Sequence, residues 1–245
     1  MTIRIAMWSG PRNLSTAMMR SFSSRADTFV SDEPFYGCFL KTGGAGHPMR
    51  EETILAMDCD WKSVMSALRR DAPGGSPVWY QKHMWHHMTG PIGYSDFEGF
   101  THAFLIREPE RMIASYLRKR ESAAFEDFGL ERQSEFFEQE AERIGRAPPV
   151  IDANDVLADP EGVLAKLCFA LGISWDKAML SWAPGRRKTD GPWAPHWYGT
   201  VEQSTAFGPP ESGRVELGPE DERLADRCRP FYERLAAYRI RGEAR

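Results

Sequence analysis

Hydrophobic positions along the chain alternate between short continuous runs and helical spacings. Ile3 to Trp8 is an apolar run that stops at Gly10-Pro11, as expected of a buried strand feeding a tight loop. Leu14, Met18, Met19 and Phe22 then fall at helical spacing. They predict a helix to about Ser24, with Asn13 or Ser15 as its cap. Thr28 to Ser31 reads as a second strand, closed by Asp32-Glu33-Pro34. Strand, loop, helix and strand in immediate succession make a βαβ unit, and hence a parallel sheet.

The same patterning continues downstream. Residues 36–50, rich in glycine, are expected to form a long loop. Trp61 to Arg70 predicts a helix stopped by Pro73-Gly74-Gly75. Val78 to Lys82 and Thr101 to Ile106 predict strands, the latter followed by a helix from Pro109 to about Glu121. Glu131 to Ile144 reads as a charged helix and Val150-Ile151 as a short strand. Pro160 to Leu171 reads as a helix ended by Gly172. Residues 184–214 mix Gly, Pro, Trp and basic residues without periodicity, as a functional loop or a disordered one does, and the aromatic content favours the functional loop. A last helix follows Pro219, with Leu224, Cys228, Phe231, Leu235 and Tyr238 on one face. No repeat or linker interrupts the pattern. Residues 1–245 are therefore expected to form one α/β domain, a central parallel sheet between layers of helices.

Composition narrows the class. With 245 residues, 42% of them hydrophobic, the chain is long enough to bury a sizeable core. Its net charge of -4 argues against a nucleic-acid partner. No apolar stretch approaches the length of a membrane span, and the run from Met1 to Met7 reads as a buried strand rather than a signal peptide. Cys38, Cys59, Cys168 and Cys228 lie far apart with no paired spacing. They suit reduced cysteines of a cytoplasmic protein.

Two segments carry candidate chemistry. In Trp8-Ser9-Gly10-Pro11-Arg12-Asn13-Leu14-Ser15-Thr16 a loop enters a helix after a parallel strand. Such a loop offers free N–H groups and a positive dipole end to an anion. Arg12 adds a fixed cation, and Ser15 and Thr16 add hydroxyls. The Gly-Lys pair of an ATP-binding Walker loop is missing, which disfavours a kinase. A plain strand-to-helix turn with capping hydroxyls would show the same residues. The second segment is Phe104-Leu105-Ile106-Arg107-Glu108-Pro109, continuing into Arg111-Met112-Ile113-Ala114-Ser115-Tyr116. It places a guanidinium at a strand end, where it can hold a phosphate through two hydrogen bonds.

Together these segments resemble the two phosphate motifs of PAPS-dependent sulfotransferases (PAPS is 3′-phosphoadenosine 5′-phosphosulfate, PAP its desulfated product). The resemblance implies a P-loop-related α/β fold. It implies that Arg12, Asn13, Ser15 and Thr16 hold the 5′-phosphosulfate, and that Arg107 and Ser115 hold the 3′-phosphate. Asn13 and Leu14 depart from the Ser and Gly usual in the first motif. Asp32-Glu33-Pro34-Phe35 resembles the family's Glu-Pro element, and residues 150–172 resemble its late strand and helix. Gly185-Arg186-Arg187-Lys188 is similar to the basic loop that closes over the nucleotide, which would add Arg186, Arg187 and Lys188 to the donor site. A solvated basic turn is the competing reading of these three.

Sulfuryl transfer then needs cations at the leaving phosphate, a general base for the acceptor, and exclusion of water. No metal is expected. Glu33, at a strand end, is the first candidate base. The cluster Lys82-His83-Met84-Trp85-His86-His87 is the second. His83 follows a lysine, as the catalytic histidine of cytosolic sulfotransferases does one residue later, and His87 is a further candidate. These histidines also suit a metal half-site or plain core hydrogen bonding. Trp193, His196, Trp197 and Tyr198 are expected to line an acceptor pocket for a small molecule or carbohydrate, or to fill a loop core. A nucleotide-binding protein without turnover, or a divergent P-loop nucleotide kinase, are the alternative functions.

Overall fold

The computed structural model describes residues 2–44 and 46–242; Met1 of the N-terminal run lies outside the described residues. Strands β1 (Ile3–Ser9), β2 (Thr28–Asp32), β3 (Val78–Met84), β4 (Thr101–Ile106), β5 (Val150–Asp152) and β6 (Arg239–Ile240) form one sheet. Their order is β2-β3-β1-β4-β5-β6, and every pairing is parallel. The helices are α1 (Ser15–Ser23), α2 (Tyr36–Thr42), α3 (Arg50–Ala56), α4 (Trp61–Leu68), α5 (Pro109–Leu117) and α6 (Leu130–Ile144). After them come α7 (Ala153–Ala158), α8 (Pro160–Ala170), α9 (Ala194–Trp197), α10 (Gly199–Gln203) and α11 (Pro219–Ala236).

Strand side chains alternate between two faces, and each face is covered. On one, Ile5, Met7, Tyr80 and Leu105 pack with Met18, Met19 and Phe22 of α1 and Leu164 and Leu167 of α8. On the other, Ala6, Trp8, Phe104 and Ile106 pack with Val64, Met65 and Leu68 of α4 and Phe136 and Phe137 of α6. Three layers result, as a parallel sheet buried on both faces requires. The connections from β1 and β3 leave toward opposite sides, so β1 and β4 flank the point where strand order reverses. Crevices for ligands open there, beyond the carboxyl ends of the strands.

Several expected boundaries are corrected. Residues 36–50 are not a continuous loop, because α2 occupies Tyr36–Thr42. The glycine signal misled there: Gly37 lies inside α2, where an added Cβ would come within 2.8 Å of Met57. It serves close packing rather than a turn. The following α3 and the two-residue β6 went unread. Neither Asn13 nor Ser15 caps α1. Leu14 holds the cap position at φ 68, without a side-chain cap bond, and Asn13 turns inward toward the Leu105 carbonyl. The helix after β4 ends at Leu117, not Glu121. Cys38, Cys168 and Cys228 are buried, Cys59 is half-buried, and all four are free. No helix among the described residues is long and apolar enough to cross a membrane.

Candidate active site

The carboxyl ends of β1 to β4 open into a cavity of about 740 Å³. The β1–α1 loop forms one wall. After Gly10, Arg12 takes φ 62 and Leu14 φ 68, a left-handed backbone that costs an L-residue about 1–2 kcal/mol. Gly10 itself leaves no room for a side chain, since a Cβ would stand 2.8 Å from the Phe128 carbonyl. With no side-chain cap on α1, the N–H groups of its first turn keep their capacity for an anion. Ser15 and Thr16 line the cavity in that turn.

The second wall comes from the end of β4 and from α5. Arg107 donates from Nη1 to the Arg12 carbonyl, and Arg12 donates from Nε to the Ser115 hydroxyl at 3.1 Å. Segments far apart in sequence thus meet through direct hydrogen bonds. Burial, then the charges of Arg118 and Arg107, holds the Arg12 guanidinium below its ordinary pKa. Cations crowd here without enough anions. The Arg107 guanidinium is engaged by one carboxylate, that of Glu211, through Nε and Nη2.

Facing them is a buried group of alternating charge. Asp32 and Lys82 are register partners on β2 and β3. Lys82 Nζ donates to Asp32 at 2.9 Å, Glu33 at 2.5 Å and the Tyr198 hydroxyl at 2.8 Å. Tyr198 in turn donates to Asp32, and its hydroxyl accepts from Trp193 Nε1 at 3.1 Å. Burial alone would lower the Lys82 ammonium, but Asp32, Glu33 and Tyr198 raise it well above its ordinary value. Burial pushes the Glu33 carboxyl up to about 7, against the opposing charge of Lys82 and with the help of Asp32. Glu33 sits at φ 44. Among the described residues four non-glycines have positive φ, and Arg12, Leu14 and Glu33 of these line the cavity. Such strain gathers at sites whose geometry the surroundings enforce.

The histidines separate. His83 follows Lys82 on a strand and so points to the opposite face of the sheet. There it stacks on Trp8 at 4.6 Å and meets Gln81 at 3.2 Å, with burial lowering its pKa to about 3. His87 does reach the cavity. Its Nδ1 stands 3.6 Å from Glu33 Oε2, and its ring stacks on Tyr36 at 4.3 Å. Burial holds it well below its ordinary pKa, so it is neutral. Among the described residues no three His, Cys, Asp or Glu side chains gather as a metal site.

Of the residues anticipated from sequence, the structure brings Arg12, Ser15, Thr16, Glu33, His87, Arg107 and Ser115 to the cavity. Asn13 lies buried behind the loop. Arg186, Arg187 and Lys188 do not line it. Their turn is fixed to α1 instead: Asp190 accepts the Arg187 N–H at 2.7 Å and forms a bidentate pair with buried Arg20 at 2.5 and 2.7 Å. Trp193, Trp197 and Tyr198 line the cavity, whereas His196 stays outside. Sequence reasoning missed Asp32 as the Lys82 partner, as well as the cavity cations Arg118 and Lys119. The basic run Arg118-Lys119-Arg120 directly after the second motif was the available signal.

A family model described as a sulfotransferase domain matches residues 3–239. Over 234 residues the chain is 32% identical to branched-chain-amino-acid aminotransferase-like protein 2 of Arabidopsis thaliana, covering 96% of this chain and 41% of that one. Protein 1 of the same name and organism is 33% identical, with 96% and 42% covered. The chain therefore spans about two fifths of the length of these curated relatives. Among solved structures, the sulfotransferase domain from the curacin biosynthetic pathway superposes at a TM-score of 0.50 and 15% identity, covering 93% of this chain and 97% of that one. A sulfotransferase from Alicyclobacillus acidocaldarius gives 0.50 and 16%, covering 98% and 97%. The likeness to both is one of fold.

Proposed function

The chain belongs to the sulfotransferase domain family, and on that premise we propose that it moves a sulfuryl group from PAPS to a hydroxyl or amine of a small-molecule or carbohydrate acceptor. The observation that carries this reading is the junction of Arg12, Arg107 and Ser115 on one wall of the cavity, opposite Glu33. A cation cluster short of anions suits a ligand with phosphates at two ends. When bound, the donor supplies a sulfuryl group on a phosphate leaving group.

The chain's own residues divide the work. Arg12, the Ser15 and Thr16 hydroxyls and the first N–H groups of α1 stabilise charge growing on the leaving phosphate. Arg107 and Ser115 hold the 3′-phosphate. Glu33 takes the acceptor proton at a carboxylate oxygen, and a pKa near 7 suits a general base working near neutrality. Lys82 neutralises Glu33 and is itself held by Asp32 and Tyr198. Trp193 and Trp197 exclude water that would otherwise hydrolyse the donor. Cytoplasmic residence and action without a metal or a nucleic-acid partner complete the reading.

Sulfur-labelled PAPS offered with a panel of alcohols, phenols and amines tests it. Wild type moves label to at least one acceptor, with a rate that rises as pH climbs through about 7, where Glu33 loses its proton. Glu33→Gln keeps PAP affinity and loses at least about 10²-fold in rate, the low end for a general base. If Glu33→Gln transfers normally and His87→Ala does not, the base is His87. If PAP binds and no label ever moves, the protein binds a nucleotide without transfer.

A further inference from the structure

The anion already seated on Arg107 belongs to the chain itself. Glu211 accepts from Nε and Nη2 of that guanidinium, while Nη1 is turned to the Arg12 carbonyl. The protein's own groups thus engage Nε, Nη1 and Nη2 of Arg107. The contact is partly screened from water, with side-chain exposures of 11% for Arg107 and 30% for Glu211. It is therefore stronger than a surface pair, yet open to solvent on one side.

Glu211 rides on a strap, residues 205–218, with no helix or regular strand. The strap is fastened on both sides of the glutamate. Trp182 N–H donates to the Thr205 carbonyl at 2.8 Å, and Ala206 bridges to Ser181. Arg111 donates to the Gly213 carbonyl at 2.9 Å. The backbone N–H of Glu211 is held by the Asn154 side chain at 2.9 Å. The backbone is therefore fixed by its own tethers while the carboxylate is held through the Arg107 pair, and Glu211 lines the same cavity as Arg12 and Ser115. With Arg118 and Arg107 both repelling Arg12 at that wall, a carboxylate here relieves the crowding until another anion arrives.

We propose that Glu211 occupies the seat of the donor's 3′-phosphate, so that the donor enters by exchanging one anion for another at Arg107. The proposal rests on the PAPS reading above. A phosphate carries more charge than a carboxylate and presents three acceptor oxygens, so it displaces Glu211. A 3′-hydroxyl has no charge to offer and leaves the pair intact. Glu211 thereby weakens donor binding, because only the fraction of molecules with Arg107 released is competent to bind.

Calorimetric titration of wild type and Glu211→Gln with PAP and with AMP, which lacks the 3′-phosphate, tests this. Glutamine keeps the shape and loses the charge. If Arg107 is released in about a tenth of molecules, PAP binds Glu211→Gln about tenfold more tightly, and AMP affinity stays within about twofold. In an Arg107→Ala background the same substitution loses most of its effect on PAP. An unchanged or weaker PAP affinity in Glu211→Gln overturns the exchange and leaves the donor reading standing. So does a gain that persists undiminished without Arg107, since that is long-range charge alone. Failure of PAP to bind wild type and Glu211→Gln alike sinks the donor reading and the exchange with it. Binding to Glu211→Gln alone is the exchange in its strongest form.

Discussion

Two regions build the cavity, and they do so differently. The strand ends supply Arg12, Glu33, Lys82 and Arg107 from a sheet whose register fixes each position, with left-handed backbone at Arg12 and Glu33. The late segment, residues 184–217, supplies Trp193, Trp197, Tyr198 and Glu211 from the short helices α9 and α10 and the irregular chain around them, tethered to the sheet half. The first region is dictated by packing of neighbouring strands. The second is dictated by a few long-range polar contacts and by Trp193, Ala194 and Tyr198 packing into the core. On the proposed function, chemistry that needs fixed geometry falls to the first region and closure over the donor to the second.

The sharpest way to break this contrast is to remove Lys82, where the two regions join. Lys82→Met leaves Asp32 and Glu33 buried without their cation, and stability falls by about 3–5 kcal/mol, as for one partner of a buried ion pair. Urea unfolding measures it, and a loss below about 1 kcal/mol would show that Tyr198 and solvent already satisfy both carboxylates. A smaller effect follows at the tether of the late segment. Asp190→Asn weakens the bidentate hold of Arg20 and costs about 1.5–3 kcal/mol, the range for hydrogen bonds to charged groups. The segment, not the sheet, opens first, so limited proteolysis cuts between residues 184 and 203 before the strands exchange their amides. Simultaneous loss of both would make the two regions one cooperative unit. The smallest effect is at Arg186 and Lys188, which are exposed and outside the cavity. Replacing either by Ala changes PAP affinity by less than about 0.5 kcal/mol, as surface substitutions do. A larger loss would mean that their turn swings onto the nucleotide.

Legibility from sequence divides along the same line. The first five strands and the positions of Arg12, Glu33 and Arg107 are readable because apolar runs and breakers mark where a parallel strand ends, a signal the two-residue β6 lacks. His83 shows how a neglected rule misleads. Adjacent residues on a strand face opposite ways, so Lys82 and His83 could not both enter the cavity, and the residue on the lysine's side is Met84. The glycines of residues 36–50 suggested a loop where Gly37 serves helix packing. In the late segment no periodicity exists to be read. Its aromatics were visible, but the pairing of Tyr198 with Asp32 and Lys82, or of Glu211 with Arg107, spans 166, 116 and 104 residues. Contacts of that kind follow from the assembled fold and leave no local pattern.

The central claim is that the cavity is built for a nucleotide with phosphates at both ends. Thermal unfolding with PAP against ATP, on wild type and Arg107→Ala, tests it most directly. The account predicts that PAP at a hundred times its dissociation constant adds about 2.7 kcal/mol of stability to wild type. ATP adds far less, and Arg107→Ala loses about 1.5–3 kcal/mol of PAP affinity. No stabilisation of wild type by millimolar PAP, or equal stabilisation of wild type and Arg107→Ala, would contradict it.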